Sequence, residues 1–201
     1  MKHSSIRELY DYWNTRRGRR SAPARNDIDP GDIRSALADT FIVTLDKSAG
    51  HPFRIAGTRV CALFGRDLKQ EAFLDLWSPQ SRTIMCDLFG IVARESIGLL
   101  AGITGTGDAG EFDLELLALP LLHEGRTDAR VLGALAPGRS PVWIGVSALG
   151  SLALGTFRYV GPAVKTVPLA SPAPANGRRR HGLLVYDGGQ TRDKIGMPPT
   201  G

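Results

Sequence analysis

Phe53-Arg54-Ile55-Ala56-Gly57-Thr58-Arg59-Val60-Cys61-Ala62-Leu63-Phe64-Gly65-Arg66-Asp67-Leu68 sets a short alternating segment against a small helix and a glycine turn. From Pro52 to Ala56 apolar and polar side chains alternate, which predicts a strand with one buried face; Gly57-Thr58 then supplies a turn and a helix N-cap. Val60, Leu63 and Phe64 are spaced to cover one side of a short helix, and Gly65 can take the left-handed conformation that stops it. Strand-turn-helix units of this kind occur in many folds, so the flanking chain has to decide among them.

Upstream, Ile6, Leu9, Tyr10 and Trp13 fall at i, i+3, i+4 and i+7, an apolar stripe on an N-terminal helix that must pack on the body or on a second copy. The helix runs into Arg16-Arg17-Gly18-Arg19-Arg20 and a loop with Pro23. In Asp29-Pro30-Gly31-Asp32 the first aspartate can cap, the proline fits the first helical position and Asp32 favours the positive end of the dipole; Ile33, Ala36 and Leu37 continue that helix. Phe41 to Leu45 reads as a first strand, closed by the turn-rich Asp46 to Pro52.

Downstream, Ser78-Pro79 is a second cap-plus-proline start, and Ile84, Leu88, Ile91 and Val92 recur at helical spacing to about Glu95. Three strand-like runs follow, Ile97 to Thr106, Phe112 to Leu122 and Arg130 to Ala136, separated by hairpin loops at 107–110 and 125–128. In Phe112-Asp113-Leu114-Glu115-Leu116 the strict alternation puts one face in the core and the other in water. The sum is a five-stranded α+β domain.

Length and charge bound the function. A chain of 201 residues holds one domain with extensions, on the usual ~100–200 residues per domain. Residues 1–25 carry seven Lys/Arg against two Asp/Glu, residues 26–160 twelve against sixteen, and residues 161–201 six against two. An acidic body with basic ends argues against a broad nucleic-acid face. The best candidate for a membrane span, Val142 to Leu154, is interrupted by glycine and serine. The N-terminus leads into an amphipathic helix instead of an apolar signal core, which predicts a cytoplasmic chain. Cys61 and Cys86 read as buried small hydrophobes, with neither a disulfide framework nor a zinc site indicated.

The order of elements resembles a PAS domain, specifically a bacterial PAS-like family. The resemblance rests on Tyr12-Trp13, Arg17-Gly18, Pro23-Ala24-Arg25, Asp27-Ile28-Asp29-Pro30, Phe53 to Thr58 and Leu63 to Leu68, and covers roughly residues 5 to 160. It implies a sensory or adaptor module with a PAS-like five-stranded antiparallel sheet and flanking helices, binding a small ligand between sheet and helices or binding nothing and dimerising. The expected organisation is an N-terminal helix and basic loop over 1–26, the PAS-like domain over 27–160, and a flexible Pro/Ala/Gly-rich tail over 161–201 that cannot bury enough apolar surface to order itself.

Catalytic signals are lacking: there is no nucleophile elbow, no phosphate loop with lysine and no paired histidines at metal spacing. His123, just after a strand, reads as a hydrated loop histidine ahead of a haem ligand; Cys61 lacks polar company for a flavin adduct. Ile55, Val60, Phe64, Trp77, Met85, Leu116 and Leu135 are candidates for a ligand pocket, and the same residues would serve as a ligand-free core. Arg54 and Arg66 are the polar side chains nearest the motif, available to a ligand carboxylate or to Asp67 or Asp75, with a structural ion pair preferred. Arg16 and Arg20 offer forked donors for phosphates, although arginines at a helix end also offset its carbonyls, the favoured reading. Two functions stand: a small-molecule sensor of unknown cofactor, or a ligand-free scaffold that forms a homodimer through the sheet and the helix residues Leu9, Tyr10 and Trp13 and recruits regulatory proteins with its tail.

Overall fold

The computed structural model describes residues 1–108, 110–122, 129–138, 148–161, 177–180 and 183–186. The chain divides into two compact units, Met1–Lys165 and Thr166–Gly201. In the first unit the helices are α1 (Ser4–Arg17), α2 (Thr58–Phe64) and α3 (Pro79–Glu95). The strands are β1 (Thr40–Thr44), β2 (Phe53–Ala56), β3 (Gly98–Gly107), β4 (Gly110–Leu121), β5 (Arg130–Pro137) and β6 (Leu149–Val160). They form one antiparallel sheet in the order β2-β1-β5-β4-β3-β6. In the second unit β7 (Gly177–Arg180) pairs antiparallel with β8 (Leu183–Tyr186). The rest of the expected tail, beyond Gly161, lies outside the described residues, as do the loop at 125–128 and His123.

Both faces of the sheet are apolar along its centre. Phe41 and Val43 of β1, Leu114 and Leu116 of β4, and Val131 and Leu135 of β5 face α2 and α3; Ile42, Leu117, Leu119, Leu132 and Ala134 face the opposite way. That second face is covered by α1, whose Ile6, Leu9 and Trp13 are fully buried against it. Trp13 Nε1 donates to the carbonyl of Pro120 in β4 at 2.8 Å. The apolar stripe at the N-terminus therefore packs on the body of its own chain. His3 Nδ1 accepts from the Ser5 N–H at the start of α1, Arg16 and Arg17 lie in its last turn, and Gly18 ends it at φ 56°.

Local signals held where the backbone alone decides them. Asp29 accepts from the Gly31 N–H at 2.8 Å with Pro30 behind it, Gly65 stops α2 in the left-handed region, and Pro79 opens α3. The segment after Asp29 departs from the expected helix. It forms short 3-10 turns at Pro30–Ile33 and Leu37–Asp39, because the carbonyl of Ala36 is taken by the Asp39 N–H and by the hydroxyl of Thr40, which already enters β1. Asp39, fully buried, then receives a two-pronged bond from Arg59 of α2 at 2.7 and 2.6 Å.

The sheet has six strands where five were expected. β6 contains Gly150, Gly155 and a run of exposed residues, so it has no clean alternation; it is a strand because it pairs with β3 from Gly98↔Val160 to Gly107↔Leu149. On α3 the buried stripe is Met85, Leu88, Phe89 and Val92, and Ile84 is 46% exposed, a rotation of about one residue from the expected face. Gly133 on β5 is required by packing, since a Cβ there would lie 2.2 Å from the Phe41 ring.

Trp13 should be among the costliest single sites. Trp13→Ala is expected to lower the free energy of unfolding by about 3–5 kcal/mol, and Trp13→Phe by about 1–3 kcal/mol, because the buried Pro120 carbonyl loses its donor. Urea denaturation followed by circular dichroism checks both; a loss under ~1 kcal/mol for Trp13→Ala would show that α1 is not part of the cooperative core.

Candidate functional site

The space between the sheet and α2–α3 is filled largely by aromatic rings. Phe41, Phe53 and Phe73 meet with centroids 5.7 Å apart, Phe73 stacks on Phe89 at 4.7 Å, and Trp77 closes on Phe73 at 5.6 Å. Val60, Phe64, Trp77, Met85, Leu116 and Leu135 are all buried in this one cluster. Ile55 is not: it is 43% exposed. The β1–β2 pairing shifts between Ile42 and Val43, leaving Arg54 as the extra residue, so Ile55 stands opposite Ile42 on the other face of the sheet. Arg54 donates to the Thr44 hydroxyl at 2.8 Å, and Arg66 pairs with Glu71 at 2.9 Å rather than with Asp67 or Asp75; both arginines are exposed and point away from the interior cluster.

Two polar side chains inside this cluster have unusual surroundings. His51, 2% exposed, lies nearly parallel to Phe89 with centroids 6.1 Å apart, and neither ring nitrogen has a hydrogen-bond partner among the described residues. Its backbone is at φ 62°, held by its N–H to the Asp46 carbonyl and by the Phe73 N–H to its own carbonyl. Burial pushes the imidazole pKa below its ordinary value, opposed by the Asp46 carbonyl and carboxylate and reinforced by Lys47. Trp77 Nε1 is likewise without a partner among the described residues. In the sequence His51 stands in the turn-rich Asp46 to Pro52 stretch, and its place just before the Pro52 strand start is the one signal of its burial.

The other face of the sheet carries an open depression of about 1050 Å³ floored by β3, β4 and β6. Along β4 the outward residues are Glu111, Asp113 and Glu115, then Leu117, Leu119 and Leu121, so one face of one strand changes from acidic to apolar at a single step. α1 covers the apolar half. Its start marks the boundary, where the Glu115 carboxylate, 12% exposed, accepts from the backbone N–H groups of Lys2 at 2.9 and 3.0 Å and His3 at 3.0 Å. Thr104, Thr156 and Arg158 complete the floor beside the acids.

The remaining candidates are occupied. Leu9 and Trp13 are buried beneath α1 and are closed to a second copy, and Tyr10, half-buried, stacks on Trp13 at 6.2 Å. Arg16 pairs with Asp32, which with Tyr12 raises its pKa, and Arg20 pairs with Asp27 at 2.6 Å. Arg20 and the Ala24 N–H hold the Asp27 carboxyl below its usual range. A carboxylate of the same chain thus engages one nitrogen of each guanidinium proposed for phosphate. Among the described residues no group of three His, Cys, Asp or Glu could hold a metal ion, and no helix is long and apolar enough to cross a membrane.

Comparison with known proteins adds one finding. A family model described as a PAS domain matches residues 1–136. No curated protein matches the chain, and no solved structure does.

The His51 environment has a pH signature. The folded state disfavours the imidazolium, whereas in the unfolded chain the ring titrates near pH ~6.5. Below that pH the unfolded state takes up the proton first, so stability is full above about pH 6.5 and falls on acidification, by up to about 1.4 kcal/mol per pH unit, until the folded imidazole titrates. Wild type should therefore lose more stability between pH 7.5 and 5 than His51→Phe; parallel curves from urea unfolding would show that the ring is not buried in neutral form.

Proposed function

The chain belongs to the PAS domain family, and from that premise we propose that it is a non-catalytic signalling module that acts by protein contact at the outer face of its sheet. The observation that carries this reading is the contrast between the two faces. The sheet-helix interior is filled by its own rings, and the open depression lies on the other side, at the start of α1. Exposed Glu111 and Asp113 suit a partner that presents basic side chains. A partner on this floor would reach Glu115, the residue that ties α1 to β4, so binding would be linked to the position of the helix. Differential contact with two positions of α1 is the physical requirement for such a signal.

A second reading, a small-molecule sensor, is favoured by His51 and Trp77, whose unpartnered ring nitrogens within the cluster would match a ligand's donors and acceptors. Native mass spectrometry of the freshly purified full-length protein separates the two. The interaction reading predicts the bare chain mass or whole multiples of it. Added mass that disappears on denaturation would overturn that reading in favour of the sensor.

A further inference from the structure

α1 and β4 run in the same direction across the outer face. Glu115 of β4 meets the backbone of Lys2 and His3, and Pro120 meets Trp13. A helix rises about 15 Å from His3 to Trp13 and a strand about 17 Å from Glu115 to Pro120, so the two axes stay close to parallel. Beyond the start of α1 the same track continues over Asp113 and Glu111, about 14 Å of strand from Glu115, with no helix on it among the described residues. That length equals about nine helical residues.

The vacant part of the track differs from the covered part in depth and in charge. Under α1 the floor is made by Leu100 and Leu117, which pair across β3 and β4. One step beyond, the β3 position is Gly102, opposite Glu115, and a Cβ built there would meet only Thr156, at 3.8 Å. The floor is therefore deep at Gly102 and has room for large apolar side chains from above. Its charges are unspent, since Glu111 and Asp113 enter no ion pair among the described residues. Cations lie at the end next to α1: Lys2 is there, and Arg158 of β6 stands in the row of Leu100 and Leu117, neither side chain ion-paired among the described residues. The depression is thus negative toward its far end and positive where α1 begins.

We propose that this floor receives an amphipathic helix of another protein, in line with α1 and running in the same direction, with Lys or Arg at i and i+4 in its last turns. The spacing follows from the acids. Residues i and i+4 are about 6.0 Å apart along a helix, and Asp113 and Glu111 about 6.8 Å apart along β4, so one row of basic side chains meets both. The direction follows from the ends. The carbonyl end of the helix dipole suits Lys2 and Arg158, its N–H end suits Glu111, and basic residues in the last turns complement that same dipole. Apolar residues on the neighbouring stripe of the helix then descend onto Gly102. The match is short against the ~1,600 Å² of a standard interface, which makes the complex weak and reversible. The inference rests on the reading of this face as the contact surface and adds the kind of partner, its direction and its spacing.

Fluorescence anisotropy of labelled synthetic peptides with the full chain tests it. The probe is a Leu/Ala-rich peptide of about 15 residues, long enough to form a helix, with lysines at i and i+4 near its C-terminus. One control carries the same lysines near its N-terminus, and another has the probe's composition interrupted by proline. The probe should bind more tightly than either control. Glu111→Gln/Asp113→Asn should weaken it roughly three- to tenfold at low salt, and Gly102→Leu, which fills the floor without changing its charge, should weaken it as well. Circular dichroism melts confirm that each variant is folded. No binding of the probe up to about 1 mM overturns the inference. Equal binding of all three peptides, weakened by both variants, overturns the helix and its direction but leaves the outer face as the contact surface. Binding that neither variant changes overturns the outer-face reading as well.

Discussion

Burial of β4 on both faces is the constraint from which the rest of the domain follows. Leu114, Leu116 and Ala118 are closed off on the side of α2 and α3, and Leu117, Leu119 and Leu121 beneath α1. Each fully buried leucine contributes about 1.5–3 kcal/mol. Uncovering Leu100, Leu117, Leu119 and Leu132 by lifting α1 would therefore approach the whole ~5–15 kcal/mol net stability of a typical domain. α1 is a structural layer, and its Trp13 bond to Pro120 fixes where along β4 it lies.

That layer also decides where function can be placed. α1 begins where the outer face of β4 turns acidic, and Glu115 binds the helix start at that boundary. Open surface, charge and a helix terminus thus meet at one point, whereas the interior is packed around rings that leave the ring nitrogens of His51 and Trp77 without partners among the described residues. The same sheet presents an apolar face that it must cover and a polar face that it can offer to others.

Much of this was legible from residues whose local chemistry suffices. The Asp29-Pro30, Gly65 and Pro79 signals act through the backbone within a few residues, so they read correctly without knowledge of the fold, whereas the Ser78 hydroxyl bonds to Ser81 and not to a backbone N–H of the helix start. The alternation from Phe112 to Leu116 and the family resemblance likewise point to the antiparallel α+β sheet. Misreadings arose where tertiary pairing overrode pattern. A register shift at Arg54 carried Ile55 out of the interior, and β6 is a strand through its bonds to β3 rather than through alternation. Ile84 fits a helical stripe yet faces outward, because Met85 and Phe89 fill the space toward the sheet. His51 owes its position to a left-handed turn that its sequence neighbours do not announce.

The central claim, that α1 and β4 form one cooperative body, is tested most directly by native-state hydrogen exchange. The amides of Leu9 to Trp13 should exchange with the same free energy of opening as those of Leu116 to Leu119, equal to that of global unfolding. Exchange in α1 at a cost several kcal/mol below that of β4 would contradict the account, because it would mean that the helix leaves the sheet while the domain stays folded.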